Sequence, residues 1–124
     1  MCFYFPHKLL HANAWLYKHV HKVHHEWHAP TSICSIYAHP LEFLVGNLPV
    51  VAAGPLLVGT HVTIFWVWAL AAVADTALTH SGYQLPLVGA NQDHDYHHST
   101  FVAADGPQNL GVLGVIDHLL GTAR

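Results

Sequence analysis

The segment His21-Lys22-Val23-His24-His25 carries three histidines at positions i, i+3 and i+4. Side chains with this spacing lie on one face of an α-helix, so all three imidazoles can point at one metal ion. The same spacing returns in His94-Asp95-Tyr96-His97-His98, and the pair His7 and His11 lies four residues apart near the start of the chain. Imidazole is a frequent ligand of iron, zinc, copper and nickel. Two copies of one three-histidine spacing therefore predict a metal centre, whereas a single pair on a helix is usually a packing or surface feature.

The composition is typical of a membrane protein rather than a water-soluble domain. The chain has 124 residues, enough for one domain at most. Charged residues make up 9 % and hydrophobic residues 52 % of the sequence, whereas soluble domains carry about 25 % charge. The 14 histidines outnumber the four basic and seven acidic residues combined. No basic run suggests a nucleic-acid partner. Cys2 and Cys34 lack CxxC spacing, so neither a disulfide framework nor a cysteine-type zinc finger is supported.

The early histidines are predicted to lie on helices next to a membrane. Proline is tolerated in the first turn of a helix but not in its interior, so we expect a helix that begins near Pro6 and a helical stretch that ends at Pro30. Three of the four basic residues, Lys8, Lys18 and Lys22, lie in this part of the chain. An excess of lysine beside a membrane segment marks the cytosolic side.

An apolar stretch separates the early and late histidines. Between Glu42 and Asp75 the chain carries no charged residue apart from histidine, which is long enough for a span of about 20 residues. Glycines and prolines interrupt it, so we predict two segments, roughly 41–58 and 61–79, joined near Gly59-Thr60. If both histidine groups share one site, the stretch must cross the membrane an even number of times. A hairpin meets this condition and a single span does not; the alternative is a buried helix pair in a soluble core.

Nine histidines form the predicted ligand set. They are His7, His11, His21, His24, His25, His80, His94, His97 and His98. A tetrahedral zinc ion takes four ligands in total, so nine converging imidazoles predict two metal ions with open positions. His80 joins the set from the end of the second apolar segment, just before Gly82, which is expected to break the helix.

Carboxylates near the histidines are candidates for fixing ligand tautomers, because a metal-bound imidazole donates its other N–H to an acceptor. The candidates by sequence position are Glu26, Asp75, Asp93 and Asp95. In the tail, Asp117 or His118 could orient a ligand histidine, cap a helix or face solvent. His28 is expected at the surface. His39 precedes a proline and is expected to be extended, with a structural hydrogen bond rather than a metal bond.

The ordered histidine motifs resemble those of the fatty acid hydroxylase superfamily, which includes methylsterol monooxygenases and sterol desaturases. The motifs are His7-x3-His11, His21-x2-His24-His25, His80-Ser-Gly-Tyr83 and His94-x2-His97-His98. Residues 17–30, 37–42 and 111–118 are most similar to the sterol-oxidase branch, and within it to the fatty acid hydroxylase domain-containing proteins of animals. The resemblance covers nearly the whole chain.

This resemblance implies an all-α protein, in which a membrane helical hairpin at 41–79 carries a histidine-rich helical cap facing the cytosol. The whole chain, 1–124, would be one partial fatty acid hydroxylase-type domain. The implied enzyme is a non-haem di-iron monooxygenase of the endoplasmic reticulum membrane. Its cofactors would be two iron ions (Fe2+/Fe3+), with no catalytic residue beyond the metal site. Such enzymes of lipid and sterol metabolism take electrons from NAD(P)H through cytochrome b5 or a similar donor. They activate O2 and insert one oxygen atom into a C–H bond of a sterol or fatty-acyl lipid.

Departures from the family pattern keep two alternatives open. Members normally have further membrane helices before the first histidine motif and a tail after the last helix, so we expect a chain truncated at both ends. Some relatives carry another histidine where this chain has Thr76, and Pro6 stands where a helix-compatible residue is usual. The alternatives are an inactive relative that retains metal binding and a zinc-dependent membrane metalloprotein.

Overall fold

The computed structural model describes residues 3–83, 91–99, 106–111 and 114–124. Within these ranges the chain is mostly helical and forms no strand, which confirms the all-α prediction for the described part. The connection between His80 and His94, which contains Pro86 and Gly89, lies largely outside the described residues, as do Val112 and Leu113 of the segment 111–118.

Two short helices begin the described part. The first spans Tyr4–Ala12, so it starts two residues before the predicted position, and Pro6 still lies in its first turn. The second spans Ala14–His19. The Asn13 side chain caps this second helix by accepting hydrogen bonds from Trp15 N and Leu16 N, both at 3.0 Å. This sharp connection turns the chain back so that the next histidines face those of the first helix.

The segment that carries the first three-histidine motif is a 3-10 helix over His21–Glu26, not an α-helix. The chain enters it through Val20, whose backbone has φ −124° and ψ −65°. The helical stretch ends at Glu26, four residues before Pro30, and a second 3-10 helix follows over Ser32–Ile36. A 3-10 helix has three residues per turn, so the α-helical face predicted for this motif is not formed.

The apolar stretch forms the predicted hairpin, with boundaries close to those expected. Its helices span Pro40–Val58 and Val62–Thr79, with mean hydropathies of 1.7 and 1.6. Gly59 closes the turn between them at φ 66°, in the left-handed region that glycine adopts without strain. Trp68 Nε1 donates to Val51 O at 2.9 Å and joins the two helices.

Both hairpin helices are long and apolar enough to cross a membrane. Only 6 % of the apolar 18-residue stretch in each helix is buried inside the protein, so most of its side chains face outward. A helix pair at the core of a soluble domain would be mostly buried, so this exposure disfavours the soluble alternative.

A helix over Asn91–Ser99 carries the late histidines, and a C-terminal helix spans Val115–Leu120. The terminal residues fold back beside the preceding loop, because Asn109 N donates to Thr122 O at 2.8 Å. The helices before and after the hairpin thus gather at its open end, where the histidines meet.

Candidate metal centre

The structure brings all nine predicted histidines together in two adjacent groups. The five-histidine cluster consists of His7, His11, His21, His25 and His97. The four-histidine cluster consists of His24, His80, His94 and His98. Within each cluster one nitrogen of every ring lies within 4.8 Å of all the others, a spacing that could hold one metal ion. Eight of the nine residues are buried and His11 is half-buried.

The assignment of the histidines differs from the simplest sequence prediction. We expected each three-histidine motif to serve one metal ion. Instead the outer pair of each motif, four residues apart, shares a cluster, and the middle histidine joins the other one: His24 leaves the pair His21 and His25, and His97 leaves the pair His94 and His98. Each motif therefore contributes to both clusters, which explains how the same spacing occurs twice in one chain.

The two clusters lie side by side within one buried cage. The ring centroids of His25 and His98, which belong to different clusters, are 4.5 Å apart. The rings of His24 and His25 are 5.6 Å apart, and those of His97 and His98 are 5.9 Å apart. Two ions held here would be neighbours in a shared environment, each with its own set of imidazoles.

Hydrogen bonds at Nδ1 to carbonyls fix the tautomers of four of these histidines, and a fifth histidine contacts a carboxyl group. Four Nδ1 atoms donate to backbone carbonyls: His7 to Leu110 O at 2.9 Å, His24 to Tyr37 O at 3.0 Å, His80 to Thr76 O at 2.7 Å and His97 to Gln108 O at 2.8 Å. The fifth, on His21, lies 2.8 Å from Glu42 Oε1. A carbonyl can only accept a hydrogen bond, so Nδ1 carries the proton and Nε2 is left with a lone pair directed into the cluster.

The facing Nε2 atoms fit a bound cation. The Nε2 atoms of His7 and His21 are 3.1 Å apart in the five-histidine cluster, and those of His24 and His80 are 3.4 Å apart in the four-histidine cluster. Because carbonyls fix the Nδ1 protons of His24 and His80, that pair has no hydrogen to share and two lone pairs face each other. The same holds for His7 and His21 when Glu42 is ionised. A metal ion between them turns this repulsion into ligation, so the donor chemistry fits one ion in each cluster.

Burial keeps these imidazoles neutral at physiological pH. The pKa of His21 is lowered to about 3, and the pKa values of His80 and His97 are lowered to about 4. The pKa values of His11 and His98 are lowered to about 2. Loss of water around the charged ring is the main cause in each case, and repulsion between neighbouring imidazolium groups adds to it for His11 and His98. Neutral imidazole is the form that binds metal.

Among the described residues, Glu42 contacts a cluster histidine through its carboxyl group, at His21 Nδ1, whereas none of the four candidates named from the sequence is seen in such a contact. Glu26 accepts a hydrogen bond from the Tyr37 hydroxyl at 3.0 Å, and Asp95 is exposed. The backbone carbonyls of the other two candidates, Asp75 and Asp93, accept hydrogen bonds from Thr79 and Asn109, respectively. Glu42 is only 7 % exposed, and a π-helical turn over Phe43–Asn47 follows it in the first hairpin helix. The signal in the sequence was a lone acid at the start of an apolar helix, since such a residue is rarely buried without a partner.

The remaining histidines lie outside the clusters, as expected. His28 is exposed. His39 is extended, with φ −60° and ψ 138°, and its Nδ1 caps the first hairpin helix by accepting from Leu41 N at 3.1 Å. His118 is exposed, whereas Asp117 is fully buried and accepts hydrogen bonds from the backbone of the preceding loop.

Comparison with known proteins assigns the chain to a family. The family model for fatty acid hydroxylase matches residues 1–122. The chain is 46 % identical to human fatty acid hydroxylase domain-containing protein 2 over 120 residues, which cover 97 % of this chain and 34 % of that protein. It is 41 % identical to the rice very-long-chain aldehyde decarbonylase GL1-8 over 130 residues (98 % of this chain, 47 % of the relative). It is 40 % identical to methylsterol monooxygenase 2-2 of Arabidopsis thaliana over 130 residues (98 % and 48 %).

The chain thus spans between a third and a half of the length of these relatives. No solved structure matches it significantly. The match to the family model runs through all nine cluster histidines. The chain belongs to the fatty acid hydroxylase family.

Proposed function

We propose that this chain is the metal-binding part, over residues 1–124, of a non-haem di-iron oxygenase that attacks a C–H bond of a sterol or fatty-acyl lipid. The observation that carries the proposal is the pair of adjacent, buried, all-imidazole clusters at the open end of an apolar hairpin. The proposed ligands are the nine histidines of the two clusters.

The donor set favours iron over zinc. Structural zinc is almost always tetrahedral with four ligands, and catalytic zinc usually has three protein ligands and one open position. The five-histidine cluster exceeds that number. An octahedral ion held by five imidazoles would keep one position open, and one held by four would keep two. Open positions are what O2 chemistry at non-haem iron requires.

The bound irons would supply O2 activation and electron transfer. The overall reaction consumes R–H, O2, two electrons and two protons and yields R–OH and water. The protein's part is to hold the ions in place, keep water out and keep every imidazole neutral. The fixed Nδ1 protons serve this purpose, because they direct the Nε2 lone pairs inward before a metal arrives.

The substrate class follows from the setting of the clusters and from the relatives. The hairpin beside the clusters is apolar and outward-facing, as a lipid-embedded segment would be. The relatives include a methylsterol monooxygenase and a very-long-chain aldehyde decarbonylase, whose names describe substrates with long apolar carbon skeletons. A lipid that approaches along the hairpin would reach the cage without entering water.

We further propose that the cap faces the cytosol from the endoplasmic reticulum membrane. Lys8, Lys18 and Lys22 are exposed on the cap, and lysines near a membrane segment favour the cytosolic side. In this orientation the clusters can receive electrons that originate from NAD(P)H and arrive through cytochrome b5 or a similar carrier.

Metal analysis combined with a product assay tests the proposal. We expect two iron ions per purified chain, and 18O from 18O2 in a hydroxylated sterol or fatty acid when a reducing system is present. His24→Ala should abolish the product, and His28→Ala, at an exposed histidine outside the clusters, should not. One zinc ion per chain would instead indicate the zinc metalloprotein. Two irons without product would indicate an inactive relative that retains metal binding.

A further inference from the structure

The loop Gln108–Leu110 supplies hydrogen-bond acceptors to two members of the five-histidine cluster. Gln108 O accepts from His97 Nδ1 at 2.8 Å, and Leu110 O accepts from His7 Nδ1 at 2.9 Å. We propose that the C-terminal tail, through Asp117, positions this loop and thereby sets the metal affinity of the five-histidine cluster but not of the four-histidine cluster. The inference rests on the proposed two-metal function and names a positioning residue for one of the two ions.

Asn109, between the two acceptors, turns the backbone so that both flanking carbonyls can serve the cluster. It is 5 % exposed and has φ 53°, in the left-handed region that non-glycine residues rarely adopt. Its side chain is held at both ends, since Nδ2 donates to Asp93 O at 3.2 Å and Oδ1 accepts from Arg124 N at 2.9 Å. Asparagine tolerates this conformation better than other non-glycine residues, and the two side-chain hydrogen bonds hold it in place.

Asp117 fixes the far side of the loop. It is fully buried, and its carboxylate accepts from Leu110 N and Gly111 N, both at 2.7 Å, and from Thr122 Oγ1 at 2.8 Å. The peptide unit between Leu110 and Gly111 therefore donates its N–H to Asp117 and offers its carbonyl to His7. A carboxylate that accepts three hydrogen bonds from neutral donors makes strong, charge-assisted contacts, so it holds this loop firmly.

The contact between Gly111 and Asp117 leaves no room for a side chain. A Cβ atom on Gly111 would lie 2.6 Å from Asp117 Oδ2, which is too close for any ordinary contact. Gly111→Ala must therefore displace the carboxylate, even though it removes none of its hydrogen-bonding partners.

The tail also contacts the helix that carries His7. The Tyr4 hydroxyl lies 3.0 Å from Thr122 Oγ1, which itself donates to Asp117. The N-terminal helix, the loop and the tail thus form one hydrogen-bonded unit around the five-histidine cluster. In the four-histidine cluster the acceptors for His24 and His80 are Tyr37 O and Thr76 O, which lie beside and within the hairpin helices.

Titration of the metal-free, detergent-solubilised chain with Co2+ tests the inference, with bound and free cobalt separated by equilibrium dialysis and counted by elemental analysis. His80→Ala/His94→Ala leaves only the five-histidine cluster intact, and His11→Ala/His21→Ala leaves only the four-histidine cluster. In the first background, Asp117→Asn should weaken Co2+ binding by about 10–100-fold, the usual effect of losing a group that orients metal ligands. In the second background it should change the affinity less than twofold.

Two further variants complete the test. Gly111→Ala should reproduce the selective loss, and His118→Ala, at an exposed neighbour on the same helix, should leave both affinities unchanged. Equal losses in the two backgrounds, including those from a misfolded variant, would overturn the inference, because they would indicate general destabilisation. An unchanged Co2+ affinity of the five-histidine cluster in Asp117→Asn would also overturn the inference. If the unmutated chain bound fewer than two Co2+ ions, the proposed function itself would fail, a result distinct from the others.

Discussion

The two clusters are built from the same motifs but are anchored to different parts of the molecule. The five-histidine cluster is oriented by the tail loop, through His7 and His97, and by Glu42 through His21. The four-histidine cluster is oriented by carbonyls beside and within the hairpin helices. Histidines from the same motif therefore enter different clusters, and the Nδ1 partners of the two clusters come from different parts of the chain.

Acid should have the largest effect, and it should act on both clusters together. The histidine pKa values in the folded, metal-free chain lie well below the ordinary 6.5, so the unfolded chain binds more protons below pH 6.5. The stability that these histidines contribute is therefore fully present above about pH 6.5 and falls as the pH is lowered toward their folded pKa values. The loss of stability due to His80 and His97 is complete near pH 4, where their folded forms also take up protons.

Unfolding of the metal-free protein, followed by circular dichroism from pH 7 to pH 4, checks this prediction. In the loaded protein both ions should leave in the same transition, since the folded imidazoles take up few protons above pH 4. Release of one ion well before the other, with the helices intact, would show that acid reaches the clusters separately.

Metal removal should have the next largest effect. Without ions, two pairs of lone pairs face each other at 3.1 and 3.4 Å. Each ion should stabilise the fold by about 4 kcal/mol when free metal exceeds Kd a thousandfold. Thermal unfolding of the loaded and chelator-treated chain at pH 7.5 measures the difference. An unchanged unfolding temperature would contradict the assignment of these clusters as metal sites.

A change at Glu42 should separate the clusters. Glu42→Ala removes the acceptor for His21 Nδ1, so metal affinity of the five-histidine cluster should fall about 10–100-fold. Glu42→Gln, whose amide oxygen can still accept, should retain most of the affinity. Competition with a chelator of known affinity provides the measurement, and Asp95→Ala, at an exposed acid, is the matched control. A loss of metal affinity confined to the four-histidine cluster would contradict the assignment of Glu42 to the five-histidine cluster.

The smallest expected effect on metal affinity comes from Gly82, which follows His80 at the end of the second hairpin helix. Gly82 has φ 72°, and open space surrounds the position of a Cβ atom there, so Gly82→Ala costs only backbone strain, about 1 kcal/mol. This strain acts on the residues that follow the second hairpin helix and should lower metal affinity of the four-histidine cluster by a few-fold. The five-histidine cluster should be unaffected. The same chelator competition measures both.

Much of the fold was predictable because simple chemistry fixes it. A long stretch without charged residues, interrupted by a glycine turn, gave the hairpin boundaries to within one residue. The spacing of the histidines gave eight of the nine members of the cage, and His80 was added from its position at the end of the second apolar segment. What the sequence did not reveal was the exchange of His24 and His97 between clusters, because it depends on a 3-10 helix and on how distant helices cross.

The partners of the histidines were also beyond sequence reasoning. Four of the five are backbone carbonyls, which every residue possesses, so no residue type marks them. The fifth, Glu42, lies 21 positions from His21 at the edge of an apolar helix. Asp117 was considered as a residue that orients a ligand directly, and it instead contacts the loop that does so.

The central claim is that two adjacent clusters each hold one ion, and metal analysis of the purified chain tests it most directly. We expect two iron ions per chain, falling to one in His80→Ala/His94→Ala and to one in His11→Ala/His21→Ala. A single ion in the unmutated chain, or a stoichiometry that drops to zero in either double variant, would contradict it.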